Sequence, residues 1–204
     1  MFSPEDQETI VRFVFSKDEN VELALGVMAA GRKIAEKIIG EFLTKLEEKL
    51  RQGAKELGES WKVVNDLISD PFTRDYLVMG VAKENWRGLY RIGLWPEKRD
   101  ARDFVVGIQG DWDRLPKLFD GGRVKKALEG PLPAGITDDW NPFYMRAHQA
   151  YRDWSDAETL SRFLGDRGTE AAAYFADPIL TMARATEGII DSLVDDWRKQ
   201  QQKE

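Results

Sequence analysis

The sequence predicts an α+β protein: two long helices, over about residues 20–57 and 169–199, packed with a small antiparallel sheet over about residues 75–109 and with short helices. Three observations carry this prediction. Apolar residues recur every three or four positions near both ends of the chain. The middle holds short runs of β-branched and aromatic residues with a period of two. The links between those runs are too short for crossover helices, so successive strands pair antiparallel. The chain of 204 residues reads as one domain, with mostly helical ends around a mixed central region at 60–165.

Ser3-Pro4-Glu5-Asp6 opens a first short helix to about Val14. Serine caps, proline suits the first helical position, and acids favour the positive helix end. Asp18 or Asn20 opens the long helix over 20–57, with a seam through Val21, Leu25, Met28, Ala35, Ile39, Phe42, Leu46 and Leu50. At 1.5 Å per residue it would be about 55 Å long. Gly53 and Gly58 mark its fraying end. Residues 61–67 are a strand or a helix end. Three strands follow, at 75–82, 89–95 and 104–109. Tyr90, Ile92 and Leu94 share one face, as do Phe104, Val106 and Ile108.

Beyond the sheet, Pro131, Pro133, Gly135 and Pro142 punctuate a stretch rich in loops. Ser155-Asp156-Ala157-Glu158 has the capping-box pattern and opens a short helix to Leu164. Gly165 and Gly168 break the chain before the last helix. That helix repeats the three-four rhythm from Ala172 through Phe175, Ile179, Met182, Thr186, Ile189 and Leu193, with Pro178 bending it near Tyr174. The two long seams most simply pack on each other; a homodimer through the long helices is the alternative.

Composition narrows the function classes. The chain is 42% hydrophobic, with seven tryptophans and ten phenylalanines, enough for a large core. No apolar run is long enough to cross a membrane, and the first residues lack a signal pattern. Zero cysteines excludes disulfides and thiolate metal sites and fits a cytoplasmic setting. The net charge of −6 is uneven. Between Lys83 and Lys126 eleven basic residues face seven acids, so this segment is +4 and the rest of the chain −10.

Residues 88–110 are the centre of that segment and read as a hairpin with a charged, protruding loop. Lys98, Arg99 and Arg102 on the loop, with Arg91 on the first strand, are candidate contacts for anionic groups. Trp86 and Trp95 are candidate stacking or anchoring residues, although alternation turns many of these rings inward. Basic side chains interleaved with aromatics are the chemistry that holds single-stranded nucleic acid. His148, the one histidine, has no nucleophile elbow to serve. Asp111-Trp112-Asp113 and Asp138-Asp139 offer carboxylate pairs, which are only part of a metal site. No catalytic residue, cofactor or metal is assigned.

The stretches GLYRIGLWPEKRDARDFVVGIQ and YRDWSDAETLSRFLGDRGTEAAAYFADPILTMA resemble the C-terminal portion of bacterial PD-(D/E)xK nuclease superfamily proteins. The Asp153-Trp154 turn and a closing helix with Tyr174 and Phe175 match the pattern, over roughly residues 60–190. The acid and acid-x-lysine signature that holds magnesium is absent. Gln109-Gly110-Asp111 lacks the lysine, and Glu47-Glu48-Lys49 lies in a helix. The resemblance therefore implies an accessory relative. The expectation is a non-catalytic interaction protein of a bacterial or phage nucleic-acid or defence system, with nucleic acid or a protein as partner and no membrane. The alternatives are a divergent metal-dependent nuclease using Asp103, Asp111 and Asp113, and a structural oligomeric protein.

Overall fold

The computed structural model describes residues 3–69, 72, 76–86, 88–111, 121–132, 134–138 and 141–202. Helix α1 (Pro4–Val14) starts on a capping box: Asp6 N donates to Ser3 Oγ at 3.1 Å and Ser3 N donates to Asp6 Oδ2 at 2.9 Å. Helix α2 (Asp18–Leu57) follows after a short turn. Five strands come next: β1 (Trp61–Asn65), β2 (Met79–Lys83), β3 (Tyr90–Lys98), β4 (Arg102–Gly110) and, after α3 (Gly121–Leu128), β5 (Phe143–Arg146). Short helices α4 (Gln149–Arg152) and α5 (Ala157–Arg162) lead to α6 (Gly165–Gln201).

The sheet is an antiparallel meander in the order β1-β2-β3-β4-β5. One face carries Met79, Val81, Ile92, Leu94, Phe104, Val106 and Ile108, all buried in the main core beneath α2 and α6. The two long helices thus pack together within the chain and cover this face. No helix among the described residues is long and apolar enough to cross a membrane.

The opposite face is organised around glycine. Gly80, Gly93 and Gly107 are directly paired across β2, β3 and β4. A Cβ on Gly80 would lie 2.0 Å from Ile92 O, and one on Gly107 would lie 2.5 Å from Phe143 O. The strands approach so closely that any side chain in this row meets backbone rather than a yielding side-chain end. Beside the row, Val78, Trp95, Val105 and Tyr144 make a second, smaller apolar cluster.

Several expectations are corrected. Strand β2 starts at Met79, and Tyr76 before it takes a positive φ of 65° that breaks the strand pattern; Asp75 lies outside the described residues. β5 adds a fifth strand within the stretch read as rich in loops, and α3 stands where no element is expected. Gly53 is inside α2, where it admits Leu180 of α6: a Cβ there would lie 2.2 Å from Leu180 Cδ1. Gly168 is likewise helical, with Phe163 O 2.2 Å from where its Cβ would sit. Both glycines serve close packing rather than a chain break. The capping box at Ser155 does not form: Asp156 is the N-cap of α5 and makes no side-chain cap bond.

Tyr90 and Trp61 are buried with the phenol hydroxyl and the indole Nε1 unpartnered. Burial pushes the Tyr90 phenol up to about 12. Tyr90→Phe is expected to leave stability unchanged or higher, because it removes a buried group that has lost water without gaining a partner; a loss above about 1 kcal/mol in denaturant unfolding would count against that account. Gly80→Ala is expected to lower stability by about 1–3 kcal/mol. Gly40→Ala, where a Cβ meets nothing within 4 Å, is expected to raise it by roughly 0.5–1 kcal/mol. Equal unfolding midpoints for Gly80→Ala and the unchanged chain would contradict the close-approach argument.

Candidate polyanion-binding surface

The β3–β4 hairpin turns through residues 99–101, with Lys98 paired to Arg102. Asp100 and Ala101 adopt left-handed backbone at φ 63° and 53°, and Asp103 does so at 56°. Aspartate tolerates this region through local hydrogen bonding, but alanine there costs about 1–2 kcal/mol. Tertiary contacts hold the turn in place. Asp100 N donates to Phe72 O at 2.8 Å, Trp154 N donates to Ala101 O at 2.9 Å, and Asp103 N donates to Asp153 Oδ1 at 2.9 Å. The loop therefore does not protrude; it is pressed onto the body with Ala101 fully buried.

The inverted backbone at Asp103 goes with a carboxylate that is nearly buried, its side chain only 10% exposed. Cations from three parts of the chain surround it. Arg146 Nη1 lies 3.3 and 3.2 Å from its two oxygens, Lys98 Nζ lies 3.4 Å away, and Arg152 Nε lies 4.0 Å away. Arg102 Nε stands 3.9 Å from Asp153 Oδ1. Four cations thus meet two carboxylates, and Arg99 is exposed beside them. The carboxylate is interior, whereas the side chains of Lys98, Arg102 and Arg146 are 68%, 57% and 53% exposed. The outer layer is an array of guanidinium and ammonium donors, with the exposed Asp100 in the same turn, and it has spare donor capacity for phosphate or carboxylate oxygens.

The structure brings three of the six sequence-predicted residues together here: Lys98, Arg99 and Arg102. Arg91 sits about 23 Å along β3 from Lys98 at 3.3 Å per residue, where it pairs with Asp66 and lines a cleft of about 170 Å³ with Gly88, Gln109, Gly110 and Asp111. Trp86 and Trp95 are corrections: both are fully buried and present no face for a base. The Trp86 indole donates to Asp191 Oδ1 at 2.7 Å and packs edge-on against Trp61. The Trp95 indole donates to Glu97 Oε1 at 2.8 Å within the smaller cluster. Sequence reasoning missed Arg146 and Arg152. Arg152 lies in the YRDW stretch that carries the resemblance, but nothing local places either arginine beside the hairpin.

The other candidate groups have structural occupations. His148 is the N-cap of α4: its Nδ1 accepts from Ala150 N at 3.2 Å and its own N donates to Tyr174 Oη at 2.8 Å. Asp103 and Asp111 stand at opposite ends of β4, about 26 Å apart by strand rise, so they do not converge on one ion; Trp112 and Asp113 lie outside the described residues. Asp138 accepts from Asn141 N at 2.6 Å, and Asp139 is not described. Among the described residues no three of His, Cys, Asp and Glu come close enough to hold a metal ion.

A second polar cluster fastens α6 to the sheet. Lys83 Nζ reaches Asp191 Oδ2 at 2.6 Å and Glu187 Oε1 at 2.9 Å, and Asn85 and Trp86 donate to the other Asp191 oxygen. Burial works against the Asp191 charge, but the bonds from Lys83, Trp86 and Asn85 outweigh it and hold the carboxyl below its ordinary value. Burial likewise opposes the Lys83 charge, and its two carboxylate partners outweigh it, raising the amine above its ordinary value. The depressed carboxyl stabilises the fold above the ordinary aspartate range and loses that contribution as pH falls through its lower folded value. The raised amine contributes below the ordinary lysine value and is lost above it.

No family model, no curated protein and no solved structure matches the chain.

Asp191→Asn is expected to cost about 1–3 kcal/mol at neutral pH. The deficit should shrink as the pH of the unfolding experiment drops below the usual carboxylate range. A deficit that stays constant well below that range would show that charge is not what Asp191 contributes.

Proposed function

We propose that the chain is a non-catalytic interaction protein that grips a phosphate-bearing polyanion, nucleic acid, through the cationic end of the β3–β4 hairpin. One observation carries this reading: Lys98, Arg146 and Arg152 converge from β3, β5 and α4 on a nearly buried Asp103, and Arg102 of β4 stands against the neighbouring Asp153, leaving their outer donors in solvent. An ordinary surface ion pair needs one cation per carboxylate and contributes little. An excess of cations fixed in place by an interior acid is pre-organised for anions approaching from outside.

The burial of Trp86 and Trp95 changes the mode of contact. Without their faces, recognition rests on phosphate contacts rather than base stacking, so binding should depend weakly on base composition and strongly on salt. The bacterial or phage nucleic-acid or defence setting rests on the sequence resemblance, and the hairpin chemistry is compatible with it. Neither Asp103 with Asp111 nor the described acidic residues as a whole support the nuclease alternative.

The test is oligonucleotide affinity as a function of salt. The unchanged chain should bind duplex and single strands at low salt, with affinity falling steeply as salt rises. Arg102→Ala and Arg146→Ala should each weaken binding and flatten the salt slope by about one unit per lost phosphate contact. Arg184→Ala, whose side chain pairs with Glu56 on the α2–α6 surface, should change neither. Absence of binding at low salt removes nucleic acid as the partner.

A further inference from the structure

Helix α2 has two halves. Its buried residues begin at Ala35, and α1 has none. Lys45 Nζ donates to Gly165 O at 2.7 Å, so α6 begins beside the second half of α2; against the first half, among the described residues, stand α1 and the Phe72 ring, 5.3 Å from the Arg32 guanidinium carbon. On this arm Phe13, Phe15, Leu23, Leu25, Val27 and Met28 are 53–76% exposed. Along one face of this arm Leu23, Val27 and Ile34 are 65%, 53% and 44% exposed, a contiguous apolar strip of the kind that marks an interaction site.

The pattern on the arm specifies what covers it. Leu23, Val27, Ala30 and Ile34 recur at i, i+4, i+7 and i+11, which is one helical stripe suited to a second helix. The charges are graded along the same segment: Lys17, Asp18, Glu19 and Glu22 leave its start at −2, and Arg32, Lys33, Glu36 and Lys37 leave its end at +2. Two copies aligned in parallel would set acid beside acid and base beside base. Two copies related by a twofold axis, running antiparallel, set each acidic end beside the other's basic end and place Leu23 across from Ile34. Gly26 and Gly31 have nothing within 4 Å of a built Cβ, so the helices have room to approach.

We propose that the α1–α2 arm is a homodimerisation element, pairing antiparallel with the same arm of a second copy along the Leu23–Ile34 stripe. The body of each copy, with its hairpin cations, stays outside this contact, so a dimer offers two cationic surfaces to one polyanion. The proposal stands whether or not the polyanion reading does.

Light scattering on the full chain should give twice the chain mass, and Val27→Glu, which puts like charges in the seam, should halve it. Circular dichroism and the unfolding midpoint at low protein concentration should be unchanged in Val27→Glu, because Val27 touches no part of the core. The chain has no cysteine, so single thiols report the register cleanly. Under oxidation Leu23→Cys alone and Ile34→Cys alone should not cross-link, and their mixture should. A monomeric mass for the unchanged chain overturns the proposal. Cross-linking of Leu23→Cys with itself overturns the antiparallel arrangement. An unaltered mass for a folded Val27→Glu overturns the assignment of the arm.

Discussion

The burial of Trp154 is the contact on which the rest of the structure depends. Its ring stacks on Phe104 of β4 at 3.7 Å between centroids and 10° between planes. It meets Phe42 of α2 edge-on at 5.2 Å, Phe163 after α5 at 5.1 Å and Phe175 of α6 at 6.0 Å. One side chain therefore joins the sheet, both long helices and the connection between them. A tryptophan withdrawn from water over ~150–250 Å² contributes roughly 4–6 kcal/mol as an upper bound. Its polar atoms are also satisfied: Nε1 donates to Tyr151 O at 3.0 Å and the backbone N donates to Ala101 O at 2.9 Å.

That last bond links packing to the cationic surface. By holding Ala101, Trp154 fixes a turn whose backbone alanine resists, and by its place in the chain it sets Asp153 beneath Asp103 N. Asp103 is then turned inward, the flanking strands supply Lys98 and Arg146 around it, and Arg102, its neighbour on β4, stands against Asp153. The cations would repel one another if the interior acid were missing, so the carboxylate is what lets them stand together. Their outer donors remain open to anions, and salt acts on them directly because they are solvent-exposed.

The sequence made the elements legible where a signal is local. The capping box at Ser3, the seam of α2 from Ala35 onward, the seam of α6 and the alternation of Tyr90, Ile92 and Leu94 each need only a few neighbouring residues, and each has its counterpart in the structure, whereas Leu25 and Met28 of the expected α2 seam are exposed. β5 and α3 escaped because four residues of strand and a helix opened by two glycines carry little propensity; pairing with β4 and packing on α6 decide them. The roles of Gly53 and Gly168 depend on Leu180 and Phe163, residues brought close only by the fold or across a tight turn. Three of the five cations were legible for the same reason: Lys98, Arg99 and Arg102 share one turn, whereas Arg146 and Arg152 reach Asp103 from more than forty residues away. Trp95 lies on the face opposite Ile92 and Leu94, and alternation alone does not reveal that this face is closed as well.

The central claim is that Asp103 holds the cations in position for an anion. Asp103→Asn tests it in one protein, with oligonucleotide affinity at fixed salt measured beside the unfolding midpoint. Affinity should fall several-fold, because the cations lose the acid that orders them, and stability should fall because crowded cations lose their anchor. A folded Asp103→Asn protein whose affinity is unchanged or higher would contradict the account.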